Sequence, residues 1–184
     1  GDNLERTTQG GGIYTYTSQQ GAAAFRDTGS FDAAGSLSQE NAEAFCRDFC
    51  KAFSYDTPIF TLDETGSGTA TAVRLWNGTP VFNAAVTFTI DQGRVLSASG
   101  ALLPETGAET SSGQKPLSAF AALTAFQQMR HASSSVVSSI TEVSLCYELQ
   151  STTAAPMALV PSWRIVTDTA TFYVNCISGT VRRA

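Results

Sequence analysis

The clearest hydrophobic pattern in the chain is a strict alternation close to its C-terminal end. In Ala158–Thr167 and Ala170–Cys176, large apolar side chains such as Trp163, Phe172 and Val174 alternate with more polar neighbours. A period of two, rich in aromatic and β-branched residues, is typical of strands with one buried face. The pattern therefore predicts an antiparallel hairpin, joined by a short Asp-Thr turn.

Two other stretches have the three- and four-residue spacing of amphipathic helices. The first follows the polar run 36–40, whose hydroxyl groups and acid are typical of a helix start. Its apolar stripe comprises Ala42, Phe45, Cys46, Phe49, Cys50 and Phe53. The second helix is predicted to begin at Pro116, a favoured first helical residue, and to reach about His131. Its stripe comprises Ala119, Ala122, Leu123, Phe126 and Met129.

Shorter apolar runs predict the remaining strands, and residues 1–12 read as a frayed arm. A hairpin of Ile13–Thr17 and Ala22–Arg26 is expected before the first helix. After that helix we expect strands at Ile59–Leu62, Thr69–Trp76, Pro80–Ile90 and Arg94–Ser99. Ile140–Leu149 follows the second helix, and Thr180–Arg183 is an edge extension of the final hairpin. The turn dipeptide Asn77-Gly78 supports this division.

The order helix–strand–strand–strand thus occurs twice, at about 38–100 and 116–183. It predicts an α+β fold with two tandem helix-plus-antiparallel-meander repeats, preceded by an N-terminal β-hairpin. The expected boundaries are 13–103 for the hairpin and first lobe, 104–115 for a linker, and 116–183 for the second lobe. Each helix should pack across its own meander, because both elements would otherwise expose an apolar face. The expected core comprises Phe45, Phe49, Phe53, Phe82, Val86, Phe88 and Ile90 in the first lobe, and Trp163, Phe172 and Val174 in the second.

Composition and charge narrow the class of protein. The 184 residues are 42% hydrophobic and 15% charged, which favours a folded domain over a disordered chain. The net charge of −5 counts against nucleic acid and anionic membrane surfaces as partners. No apolar run approaches the roughly 18 residues of a membrane helix. The chain starts at Gly1 rather than methionine, which is consistent with removal of a signal or anchor.

The four cysteines are more typical of packing than of chemistry. An even number permits disulfides, but Cys46 and Cys50 lie one helical turn apart, where a bridge would constrain almost nothing. The alternation places Cys146 and Cys176 on opposite faces of a sheet. We therefore expect buried free thiols. The Cys46–Cys50 spacing also resembles half of a metal site, but no nearby pair completes four ligands, so no metal is predicted.

The closing segment PSWRI…FYVNCISGTV resembles the last strands of PepSY-like domains. Together with the YTSQQGAAAFRDTGSF hairpin and the duplicated helix and meander, it is similar to the YycH/YycI group. That resemblance implies an extracytoplasmic regulator of a membrane sensor histidine kinase in a Gram-positive bacterium, held by an N-terminal membrane helix that this sequence lacks. PepSY-like domains also act as inhibitory prosegments of proteases, which gives an alternative role.

Catalytic patterns are missing from the sequence. The single histidine, His131, lies where it would complement a helix C-terminus, and no nucleophile or glycine-rich motif accompanies it. Glu142 and Glu148 are roughly 20 Å apart along one strand, too far for a glycosidase pair, and read as a solvated face. We expect neither enzymatic activity nor a cofactor. The expected function is protein contact through Tyr14, Tyr16 and Tyr173, with binding of a small or cell-wall-derived ligand as an alternative.

Overall fold

The structure is a computed structural model that describes residues 5–8, 13–18, 21–26, 29–35, 41–103, 114–133, 137–150 and 157–184. The chain divides into two compact units, one comprising residues 1–107 and 151–157, the other 108–150 and 158–184. The described part contains twelve strands and two helices. Neither of these helices is long and apolar enough to cross a membrane.

The first unit is an antiparallel sheet with one helix against it. Its strands are β1 (Glu5–Thr8), β2 (Ile13–Ser18), β3 (Gly21–Arg26), β4 (Ser30–Gly35), β5 (Ile59–Leu62), β6 (Gly68–Trp76), β7 (Thr79–Asp91) and β8 (Arg94–Ala101). They pair in the order β1-β2-β3-β4-β8-β7-β6-β5. The helix α1 (Ala42–Ala52) lies between β4 and β5 in sequence. At the β6–β7 turn, Asn77 and Gly78 have φ angles of 48° and 77°, as the predicted asparagine–glycine hairpin turn requires.

The core of the first unit lies between α1 and one face of this sheet. Cys46 and Cys50 point from α1 into a cluster with the fully buried Phe88, whose ring meets those of Phe45 and Phe49 edge-on. The side chain of Asn41 accepts a hydrogen bond from the Ala44 amide at 3.0 Å and caps the helix. The predicted apolar stripe is therefore confirmed for the buried side of α1.

The second unit has the predicted elements in the predicted order. They are α2 (Ala119–Ser133), β9 (Ile140–Gln150), β10 (Ala158–Thr167), β11 (Thr171–Asn175) and β12 (Val181–Arg183). The four strands form an antiparallel meander. Phe172 and Val174 are buried against Phe126 of α2, and Trp163 is half-buried beside them, donating its indole N–H to the Leu117 carbonyl at 2.9 Å. The expected core of this unit is confirmed.

The predicted fold class, two tandem helix-plus-meander repeats after a separate hairpin, is wrong. The sequence prediction missed β1 and β4, and β4 pairs with β8 over Ser30–Ala34. This pairing joins the N-terminal strands to the meander, so the first unit has an eight-stranded sheet and the second a four-stranded one. The protein is dominated by sheet, and its two units are not repeats of one another.

Several predicted details also need correction. The structure starts α1 at Ala42 and α2 at Ala119, later than the sequence indicated. The predicted helix-start residues 36–40 and residues 104–113 of the predicted linker lie outside the described part. Phe53 is 41% exposed rather than buried. The β6–β7 register shifts after Val73, and as a result Val81 is buried on β7 whereas Phe82 is only half-buried.

Candidate interaction surface

The second-unit sheet carries a row of polar side chains on the face that does not contact α2. Successive pairing places Ser144 beside Arg164, Arg164 beside Tyr173, and Tyr173 beside Arg182, one residue from each of β9, β10, β11 and β12. Directly paired residues on neighbouring strands point to the same side of a sheet. Tyr173 is therefore placed between two arginines, and we call this group the Tyr173 row.

Two glutamates hold the arginines of the row in place. Arg164 Nη1 lies 2.8 Å from Glu142 Oε1, and Ser144 Oγ donates to the same oxygen at 2.7 Å. Arg182 Nη2 lies 2.6 Å from Glu148 Oε1. The side chain of Glu148 is 16% exposed and that of Arg182 is 53% exposed. The prediction that both glutamates form a solvated face is incomplete, because each one anchors an arginine of the row.

The electrostatics of the row follow from these contacts. Burial raises the pKa of the Tyr173 hydroxyl above its ordinary value, while Arg164 and Arg182 act in the opposite direction. The hydrogen bond from Ser144 and then that from Arg164 lower the pKa of Glu142. At neutral pH a neutral Tyr173 phenol therefore lies between the two arginines of the row, and Glu142 beside Arg164 is ionised.

We predict a pH dependence for the Glu142 pair. In the folded protein the carboxyl of Glu142 should titrate below the ordinary value of 4.5. The pKa of Glu142 is lower in the folded protein than in the unfolded chain. Its contribution to the stability of the fold is therefore complete above the unfolded pKa, and it is lost as the pH falls through the folded pKa. Carbon-detected NMR titration measures this directly. Arg164→Gln should move the value back toward 4.5, and Arg183→Gln should not; an unshifted Glu142 in the parent protein would contradict the pairing.

The thiol that lies on the same face as the row is unsuited to nucleophilic chemistry. Cys146 is 1% exposed, and its Sγ lies 3.2 Å from the Ser162 carbonyl oxygen. Burial, reinforced by Cys176 and Glu148, raises its pKa to about 12, so the reactive thiolate is strongly disfavoured at neutral pH. All four cysteines are free and buried, as predicted. Among the described side chains, no three His, Cys, Asp or Glu residues are grouped so that they could hold a metal ion.

The other two predicted site residues belong to the first unit, whereas Tyr173 belongs to the second. Tyr14 and Tyr16 lie on β2, where they pair with Phe25 and Ala23 of β3 in the first unit. Their role in partner contact stays a prediction. His131 is exposed in the last turn of α2. Sequence reasoning missed Arg164 and Arg182, although Arg164 is polar within an apolar alternation, a signal that could have marked it.

A shallow depression in the first unit is a candidate small-molecule site. It encloses about 410 Å³ over β2, β3, β4 and β8. Its lining residues are Thr15, Ala22, Ala23, Ala24, Asp32, Ala33, Ala34, Ser97, Ala98 and Ser99. Asp32 is the one charged group among them, and its carboxylate is already 3.1 Å from Arg26. A ligand site usually has several converging polar groups, so this depression does not favour the ligand-binding alternative.

Comparison with known proteins gives a fold and no function. No family model and no curated protein matches the chain. The structure is similar to the Bacillus megaterium YpeB C-terminal domain, with a TM-score of 0.49 and 11% identity, over 100% of this chain and 88% of that one. It is also similar to an uncharacterized protein from Eubacterium rectale, with a TM-score of 0.52 and 13% identity, over 99% of this chain and 71% of that one. The second likeness indicates a shared fold; the first is too low to support an inference. Neither structure is described as YycH or YycI, so that resemblance rests on the sequence motifs.

Proposed function

We propose that this chain is a non-enzymatic interaction module that binds a protein partner through the Tyr173 row. The observation that carries the proposal is an aromatic side chain set between two arginines that are each fixed by a glutamate. Tyrosine and arginine are enriched among the residues that dominate binding energy at protein interfaces. Because the arginines are already oriented, a partner would not have to order them on binding, which lowers the entropic cost of association.

The absence of turnover is part of the proposal. It is supported by the raised pKa of Cys146 and by the position of His131, which is exposed in the last turn of α2. Contact alone requires complementary shape and charge, and the row together with Glu142 and Glu148 supplies both signs of charge around a half-buried ring.

The identity of the partner is proposed from the sequence motifs. Because the closing strands resemble the YycH/YycI group, we propose a membrane sensor histidine kinase or a related regulator, met outside the cytoplasmic membrane of a Gram-positive bacterium. In this setting the full-length protein would be held by an anchor. Tyr14 and Tyr16 would provide a second point of contact.

Two adjacent arginines on β12 provide a matched test. Arg182 belongs to the Tyr173 row, whereas Arg183 is the next residue and points to the opposite face of the strand. We expect Arg182→Glu to weaken partner binding by at least about tenfold, because it places an acid beside Glu148 and removes a hot-spot cation. Arg183→Glu makes the same change in net charge and should leave the affinity within about twofold. Pull-down with the anchored full-length protein, followed by titration of the purified partner, measures both.

An equal loss of partner affinity in Arg182→Glu and Arg183→Glu would mean that net charge, and not the Tyr173 row, drives binding. A purified chain that hydrolysed a peptide or glycan, with the activity abolished by one substitution, would overturn the proposal of a contact module.

A further inference from the structure

The outermost strand of the first-unit sheet has an unusual combination of position and composition. Among the described strands, β5 pairs only with β6, through Ile59–Leu62. Its four residues, IFTL, carry no charge and no proline. Two of its apolar side chains are open to solvent, Ile59 at 72% and Leu62 at 36% exposure, whereas Phe60 packs against the core. Edge strands of soluble proteins normally carry charges, prolines or bulges that prevent pairing. β5 itself has none of these protections.

The backbone of β5 offers unused pairing groups in a defined pattern. At the β5–β6 turn, the Asp63 amide donates to the Ser67 carbonyl at 2.9 Å. Hydrogen-bonded and non-hydrogen-bonded pairs alternate along an antiparallel ladder. Ile59 and Thr61 therefore direct their amides to β6, while Phe60 and Leu62 direct their amides and carbonyls to the open edge. Another extended chain would find two donors and two acceptors there.

The charges around β5 limit which extended segment of another protein could pair with it. Exposed acids flank β5 on both sides, with Asp56 before it and Asp63 and Glu64 after it. Hydrogen bonds from Thr65 and Ser67 lower the pKa of Asp63 and keep it ionised. One cation lies against the strand, because the Arg47 guanidinium is 5.3 Å from the Phe60 ring centre, and it is 3.4 Å from Glu43. An apolar edge with acidic ends is complementary to an apolar strand with basic ends.

The same charges disfavour a second copy of this protein as the occupant. If two β5 strands paired antiparallel, Asp56 of each would lie beside Asp63 and Glu64 of the other. Parallel pairing would place identical acids side by side. Like charges directly opposite each other destabilise a strand pair in either arrangement.

We propose that β5 is a further interaction site, which accepts an extended segment of a partner protein by strand addition. The segment has alternating apolar residues in its centre and lysine or arginine at its ends. Its main chain pairs with Phe60 and Leu62, and its side chains contact Ile59 on one face of the sheet and Phe60 on the other. This site is independent of the Tyr173 row, and either proposal can fail without the other.

The test uses the full chain and a short synthetic peptide of alternating valine and threonine with lysines at both ends. We expect saturable binding of this peptide by isothermal titration, and at least about tenfold weaker binding of the same peptide with glutamates at its ends. Two further forms of the lysine-ended peptide, each N-methylated at every second amide, distinguish strand addition from adsorption. Only the form whose methylated amides face β5 should lose affinity. Unchanged binding of both methylated forms, or no binding of the lysine-ended peptide at about 1 mM, would overturn the proposal.

Variants of the protein complete the experiment. Leu62→Pro removes an outward amide and keeps the ladder to β6, so it should weaken binding by at least about tenfold. Ile59→Ser, which leaves the backbone intact, should weaken binding several-fold even if the proline variant fails to fold. The control Leu96→Ser changes a leucine of similar exposure, 40%, on the interior strand β8 and should have no effect. A concentration-dependent dimer of the parent chain that is lost in Ile59→Ser would overturn the proposal in favour of self-pairing.

Discussion

Replacing Phe88 with alanine is expected to lower the free energy of unfolding by about 3–5 kcal/mol. Phe88 is fully buried on β7, and its ring centre lies 6.3 Å from that of Phe45 and 5.3 Å from that of Phe49, in edge-on contact with both. The substitution leaves a cavity between α1 and the sheet, which neighbouring rings cannot fill without leaving their own contacts. Urea denaturation followed by circular dichroism measures the loss.

A phenylalanine in the second unit serves as the control. Phe120 is 81% exposed at the start of α2, so Phe120→Ala should change the stability by no more than about 0.5 kcal/mol. If Phe88→Ala had an equally small effect, the assignment of the core face of β7 would be wrong.

Phe126→Ala is expected to have a comparable effect in the second unit, again about 3–5 kcal/mol. Phe126 is fully buried, its ring centre lies 5.0 Å from that of Phe172, and the guanidinium of Arg130 lies 6.0 Å from its centre. The alanine variant loses the contact that fixes α2 on the meander. Thermal unfolding should show a clear decrease for this variant and almost none for Gln127→Ala, the exposed residue that follows. Similar curves for the two variants would contradict the packing of α2.

The sequence predicted individual elements better than it predicted their assembly. β10 has the predicted bounds, Ala158–Thr167, and its second half has the alternation of Trp163 and Ile165 with Arg164 that marks a strand with one buried face. β4 escaped prediction because SFDAAG has one large apolar residue and no alternation that would mark a buried face. Its place in the sheet depends on pairing with β8, whose partner residues lie 63 to 71 positions later in the chain, and no local pattern encodes a contact over that distance. Because the prediction lacks β4, it divides the eight-stranded sheet of the first unit into a hairpin and a separate meander.

A bulge explains the misplaced Phe82. A prediction from alternation assumes an unbroken period of two, whereas the β6–β7 register shifts between Val73 and Arg74. A shift in register changes which side chains of β7 face the core, and Val81 therefore takes the buried position that the sequence predicted for Phe82. The residues beyond the bulge keep the predicted face, and Val86, Phe88 and Ile90 are buried as expected.

The candidate surface was only partly visible in the sequence. Tyr173 stood out as a large polar aromatic residue within an alternating strand. Its neighbours Arg164 and Arg182 did not, because they lie on two other strands and reach Tyr173 only through the pairing of β10, β11 and β12. Likewise, the sequence indicates only a solvated face for Glu142 and Glu148, because the arginine that each one binds lies on another strand, 22 and 34 positions later.

The most direct test of the Tyr173 row is the affinity of the purified protein partner for the Arg182→Glu and Arg183→Glu chains, measured side by side against the parent. Both substitutions make the same change in net charge on the same strand, so any difference between them reports on the face of the sheet that is used. The proposed contact surface predicts a loss of at least about tenfold for Arg182→Glu and an affinity within about twofold of the parent for Arg183→Glu. Parental affinity in the Arg182→Glu chain, with the fold intact by circular dichroism, would contradict it.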